Sequence, residues 1–277
     1  MLPTELNVST QILGYQRFLF FSLPAGSADD ELVTVLERLA EGMENMQYSE
    51  GQPAEEWLKR GRYQYLRAER SLSQARDFAH SAVLEAQGLI RLEAASVEPF
   101  LHYQAGLKMQ LEHRGGSLEV LPGVQRGRSY TSAAMYQFSN APALLPGKGS
   151  KFQLGVVTPL NKTAEWWSMD WMHRETFFLP RYDSQETLIA KGHSLAAAAG
   201  IPCLIRRLVH APDGYGKPGG YDFIGYFEFA EQDAEVFRSV MRALRDQREN
   251  PEWRYVREGP EWWGRRVASA KELLGRS

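Results

Sequence analysis

"CLIRRLVHAPDGYGKPGGYDFIGYFEFA", residues 203–230, has the pattern of two strands and a loop. Both flanks are rich in β-branched, aliphatic and aromatic side chains, whereas the middle, "APDGYGKPGG", is Gly, Pro and Asp chemistry that interrupts helix and strand alike. Strands this close in sequence pair antiparallel, so 203–210 and 221–230 read as a hairpin.

Working outward from the hairpin gives one half of the fold. "KFQLGVVTPL" (151–160) reads as a strand. "DSQETLIAKGHSLAAAAG" (183–200) predicts a helix with Asp183 or Ser184 as N-cap and Gly200 as stop, and Pro202 forbids its continuation. "EQDAEVFRSVMRALRDQ" (231–247) sets Val236, Phe237, Val240, Met241 and Leu244 on one helical face, and "EWRYVRE" (252–258) supplies a last strand. Strand, helix, strand, strand, helix, strand is the split βαβ order of ferredoxin-like domains. The first half repeats it more loosely: strands at 15–23, 62–69 and 86–94, helices at 28–44 and 97–113. The fold class read from this pattern is α+β, two ferredoxin-like halves packed sheet against sheet as a dimeric α+β barrel within one chain. The expected organisation is an N-terminal half at 1–125, a linker at 126–150 and a C-terminal half at 151–277.

Composition sets limits on function. The 277 residues are 43% hydrophobic, enough for a substantial core. Against 32 Lys and Arg stand 34 Asp and Glu, so bulk charge favours neither nucleic acid nor an anionic membrane surface. No apolar run approaches the roughly 18 to 20 residues that a membrane span requires. The start has no basic segment ahead of its apolar stretch, which makes the cytoplasm the default location and the periplasm the alternative if a signal peptide has been removed. A single cysteine, Cys203, excludes an internal disulfide.

The motifs are sparse. "GYGKPG" (214–219) satisfies GxGxxG formally, but Pro218 and a following strand place it in a hairpin loop instead of at a helix N-terminus, so a nucleotide site is discarded. No HExxH, GxSxG or Walker loop occurs, and the six histidines (80, 102, 113, 173, 193, 210) show no spacing suited to zinc. His193 reads either as a structural histidine near a helix end or as a lone ligand to a metal whose other ligands come from a macrocycle. Arg206 alternates in register with Leu204, Leu208 and His210, which directs a guanidinium into an apolar layer. There it could pair with a carboxylate or hold a small anion. Trp166 and Trp167 in "NKTAEWW" read as core packing or as walls for a flat group, and Glu249 in "RENPEWRYV" as a solvated helix end.

Taken together these residues resemble the haem-binding chlorite dismutase family. The segment from His193 to His210 aligns without a gap, with an arginine thirteen positions after the first histidine and a second histidine four further on. The resemblance spans about 115–277 and implies the following. His193 is the proximal iron ligand of haem b, and Arg206 is the catalytic residue on the opposite haem face. Glu249 is the carboxylate bonded to the axial imidazole, with Lys162 contacting it. Trp166, Trp167 and Tyr130, the last in "GVQRGRSYTS", line the cofactor. The implied activity converts chlorite to chloride and dioxygen in a homo-oligomer, a pentamer by family analogy. A coproheme decarboxylase of haem biosynthesis and a non-catalytic haem-binding protein are the alternatives. Three departures stand out: a long path from Trp167 to His193, extra hairpin residues at "KPGG", and Glu258 where many members have tryptophan.

Overall fold

The computed structural model describes residues 12–47, 59–126 and 149–276. Tyr130 and nearly all of the expected linker lie outside them. The strands are β1 (Ile12–Ser22), β2 (Glu44–Asn45), β3 (Arg62–Ala68), β4 (Gly88–Ala94), β5 (Ser117–Arg126), β6 (Leu154–Lys162), β7 (Arg181–Tyr182), β8 (Leu188–Ala190), β9 (Ile205–His210), β10 (Phe223–Phe229), β11 (Val256–Glu258) and β12 (Trp262–Val267). The main sheet runs β10-β9-β5-β1-β4-β3-β12-β6, and β6 pairs again with β10. Eight antiparallel-paired strands thus close into a barrel, an arrangement that leaves no free edge among them. Helices Asp30–Leu39, Glu98–His113 and Ala234–Arg245 pack outside it.

Closure explains why the strands read as apolar runs with little alternation. In β1, Phe18 and Phe20 point inward to meet Leu66, Leu89, Ile224 and Trp262. Leu19 and Phe21 point outward beneath Phe100, Tyr103 and Leu107 of the helix Glu98–His113. Each such side chain taken fully from water contributes about 1.5–3 kcal/mol. One end of the barrel interior is polar instead. Arg62 and Arg91 bond to Glu93 at 2.8 and 3.0 Å, and Arg266 bonds to Glu228 at 2.9 Å, all with almost no solvent exposure.

The hairpin at 203–230 forms as read, with Phe223 opposite His210 and Glu228 opposite Ile205. The helix expected over 183–200 does not form as one element. Asp183 Oδ1 accepts the backbone N–H groups of Gln185 and Thr187 at 2.8 and 2.9 Å, closing a tight turn with Glu186 at φ 59° between β7 and β8. The side chain read as an N-cap is therefore a turn former, two roles that rest on the same short-range hydrogen bonding. Only Gly192–Ala196 is α-helical, followed by a 3-10 turn at Ala198–Gly200. The expected strand 252–258 is likewise shortened to β11, because Pro251–Tyr255 winds as a 3-10 helix. Among the described residues no helix is long and apolar enough to cross a membrane.

Candidate functional site

The site lies where β9 and the start of the 164–168 helix meet the short helix Gly192–Ala196. That helix is fixed from three sides: Gly192 N–H donates to the Glu249 carbonyl at 2.9 Å, and His193 and Ser194 N–H donate to the carbonyls of Phe177 and Phe178. Gly192 has φ +63°, and a Cβ there would sit 2.3 Å from the Leu179 carbonyl oxygen, so both backbone conformation and space demand glycine. The longer path from Trp167 to His193, the helix Trp171–Thr176 and the β7–β8 hairpin, is what delivers Phe177 and Phe178 to hold the histidine.

His193 is 3% exposed, so every polar atom of its ring needs a protein or ligand partner. Nδ1 lies 2.7 Å from Glu252 Oε2, and Nε2 lies 3.0 Å from Arg206 Nη1. A guanidinium nitrogen can only donate, so Nε2 is the acceptor and Nδ1 carries the proton donated to Glu252. The other oxygen of Glu252 accepts from Lys162 Nζ at 2.5 Å, and that ammonium stands 4.0 Å from the centre of the Trp166 ring. Burial alone would raise the Glu252 carboxyl; the Lys162 charge and the hydrogen bonds from His193 and Lys162 overcome it and hold the group well below the usual carboxylate range. The result is a buried chain of lysine, carboxylate, imidazole and guanidinium.

The carboxylate in that chain corrects the sequence reading. Glu249, expected against the imidazole, is half-exposed and pairs with Lys191 at 3.2 Å. The helix ends at Arg245; Asn250 then bonds back to Leu244, and Pro251 starts a 3-10 helix that turns Glu252 inward, one turn beyond Glu249. A carboxylate flanked by Pro251, Trp253 and Tyr255 in a short apolar stretch was the signal available in the sequence. Arg206 also differs from expectation: its guanidinium touches Nε2 directly instead of standing across a gap. Trp166 is fully buried among Phe177, Phe178 and Tyr255. Trp167 lies to one side, donating Nε1–H to Asp222 at 3.1 Å and stacking on Tyr215.

These residues suit an iron porphyrin on donor chemistry. The tautomer shared with Glu252 leaves Nε2 unprotonated, as a ligand to iron would require, with the other ring N–H on a carboxylate. Among the described residues, the buried polar atoms that lack a hydrogen-bond partner include the indole N–H of Trp166, whose ring packs on Phe178 as His193 does, and the hydroxyl of Thr158 on β6. On the β6–β10–β9 face, Gly225 pairs with Thr158 on one side and Leu208 on the other, leaving no side chain between them. A single lone pair cannot serve both Arg206 and a metal, so Arg206 must withdraw for iron to bind. Among the described residues no group of three or more His, Cys, Asp or Glu could hold a metal ion by side chains alone.

Fold and site together define a single-chain α+β barrel with one buried histidine gripped between a carboxylate and a guanidinium. The chain has the fold of the chlorite dismutases. Structures of the Candidatus Nitrospira defluvii chlorite dismutase superimpose on it throughout. An arginine-to-glutamate variant has TM-score 0.65 at 19% identity over 96% of both chains. The complex with imidazole has TM-score 0.65 at 20% identity over 96% of this chain and 95% of that one. A tryptophan-to-valine variant has TM-score 0.64 at 20% identity over 98% of both. No protein-family model and no curated protein sequence matches the chain.

Proposed function

We propose that the chain is a haem protein of the chlorite dismutase family, built from two ferredoxin-like halves, that converts chlorite to chloride and dioxygen. The observation that carries this reading is the buried Lys162–Glu252–His193 chain, with Nε2 facing Arg206. Haem b, when bound, supplies the redox centre at which chlorite is split. His193 would hold the iron through Nε2. Glu252 fixes the ring and its tautomer, and by accepting the Nδ1 proton makes the imidazole a stronger donor. Lys162 keeps that carboxylate ionised. Arg206, released from Nε2, is the cation that draws a small anion into an apolar site and holds it there. Trp166, whose buried indole N–H has no partner among the described residues, would offer that donor to the cofactor.

The test is a titration of the purified protein with haem b and with coproheme, followed by chlorite addition in an oxygen electrode. The reading expects a Soret band at one haem per chain, oxygen release, and weakened haem retention in His193→Ala. Tighter binding of coproheme, with carbon dioxide released on adding peroxide, would select the decarboxylase. Haem binding without either gas would select a carrier, and no uptake of either porphyrin would end the proposal.

A further inference from the structure

The loop at 211–222, which plays no part in the site above, builds an aromatic assembly of its own. Tyr215 stacks on Trp167 with ring centres 4.5 Å apart and planes 6° from parallel, and Phe223 covers it at 5.2 Å. The Tyr215 hydroxyl lies 2.7 Å from Nδ1 of His210, whose ring is buried. The arrangement is held firmly. Asp222 accepts from the Gly216 and Lys162 backbone N–H groups at 2.5 and 2.6 Å and from Trp167 Nε1, tying the loop tip and the indole to one carboxylate. Arg126 lies 5.7 Å from the Tyr215 ring centre and Arg174 5.6 Å from that of Trp167.

A phenol in contact with an imidazole is easier to oxidise than a free one, because the cation left by electron loss is a strong acid and a base already receives its proton. A parallel-stacked indole gives the electron a short path. His210 and Arg206 share a face of β9 four residues apart, about 13 Å along the strand, and Trp167 follows directly on Trp166. The stack therefore runs from Trp167, next in sequence to the Trp166 that packs on Phe178, to the half-buried edge of Tyr215.

We propose that Tyr215 is a redox-active tyrosine. It loses one electron through Trp167 to a one-electron oxidant while its phenolic proton moves to Nδ1 of His210, leaving a neutral phenoxyl radical and a protonated imidazole. A soluble one-electron reductant at the surface restores the phenol, and His210 returns the proton. This goes beyond the proposed function and stands without haem, since any sufficiently strong one-electron oxidant will serve.

The test uses the full chain as purified, oxidised by photogenerated tris(bipyridine)ruthenium(III) and freeze-quenched for electron paramagnetic resonance, in water and in deuterium oxide. The wild type is expected to give a tyrosyl signal whose formation slows in deuterium oxide. Tyr215→Phe is expected to lose that signal and leave a tryptophan-type radical, with circular dichroism unchanged. His210→Gln is expected to reduce the yield and abolish the isotope effect, which a merely structural histidine would not do. A wild type without a tyrosyl signal, an undiminished signal in Tyr215→Phe, or an unchanged isotope effect in His210→Gln overturns the proposal.

Discussion

Replacing Glu252 by glutamine tests the site at its least exposed point. The two carboxylate oxygens face two donors, His193 Nδ1–H at 2.7 Å and Lys162 Nζ at 2.5 Å. An amide offers one oxygen and one NH2, so one of the two contacts becomes donor against donor. If the amide oxygen stays with Lys162, the imidazole can recover by moving its proton to Nε2, but Nε2 then faces the Arg206 guanidinium at 3.0 Å and the conflict reappears there. No tautomer satisfies all four groups. Lys162 also loses its counter-charge while its side chain is only 8% exposed. Removing one partner from a buried pair costs about 3–5 kcal/mol, and the surviving hydrogen bond offsets part of that, so about 2–4 kcal/mol is expected. Glu249→Gln is the internal comparison: its pair with Lys191 has both side chains 44% exposed, and such pairs contribute about 0–1 kcal/mol. Urea denaturation followed by tryptophan fluorescence reads both, and haem titration monitored at the Soret band reads the loss of an unprotonated Nε2 in Glu252→Gln alone. Equal midpoints for the two variants, or undiminished haem affinity in Glu252→Gln, would refute the assignment of Glu252 as the imidazole's partner.

Three further outcomes follow from the geometry. Gly192→Ala should destabilise the protein by about 3 kcal/mol through a positive φ and a backbone clash, and because the clash is with the Leu179 carbonyl it should also weaken haem uptake, both read by denaturation and Soret titration. Arg206→Ala should speed haem association, since Nε2 no longer has a competing donor, while lowering chlorite turnover about 100-fold, as loss of one positioned donor does; stopped-flow haem mixing and oxygen release separate the two, and slower association contradicts the first. In the barrel interior, burial would raise Glu93 and Glu228, but Arg62, Arg91 and Arg266 overcome it and hold both below the ordinary value of 4.5. A depressed carboxylate contributes stability that is complete above its unfolded pKa and lost as pH falls through the folded one. Denaturation midpoints should therefore hold steady above pH 5 and fall as the pH drops below 4.5, and Glu93→Gln should flatten that slope.

What the sequence made legible follows from how local the responsible physics is. The hairpin β9–β10 and the helix Ala234–Arg245 were readable because turn chemistry and a 3.6-residue apolar stripe act within a few residues. The strands β5 and β12 were not read, since "SLEVLPGVQR" contains a proline and "WWGRRV" a glycine and two arginines. Both are strands because of distant partners: β5 pairs with β1 along its length, and in β12 Arg266 reaches Glu228 while Gly264 makes room for the Trp262 ring. The site divides the same way. His193, Arg206 and Lys162 were reached through the resemblance to the family, and the structure brings them with Glu252 into one hydrogen-bonded chain. Glu252 was missed in favour of Glu249 because a helix end followed by a 3-10 turn shifts the inward face by three residues, and no side-chain periodicity marks where one winding gives way to the other. The same shift separates the two glutamates in energy: one is held among Pro251, Trp253 and Tyr255 where a charge persists only if it is paired, the other faces solvent where pairing matters little. Burial, a property of the closed barrel and not of the local segment, decides which carboxylate controls the imidazole.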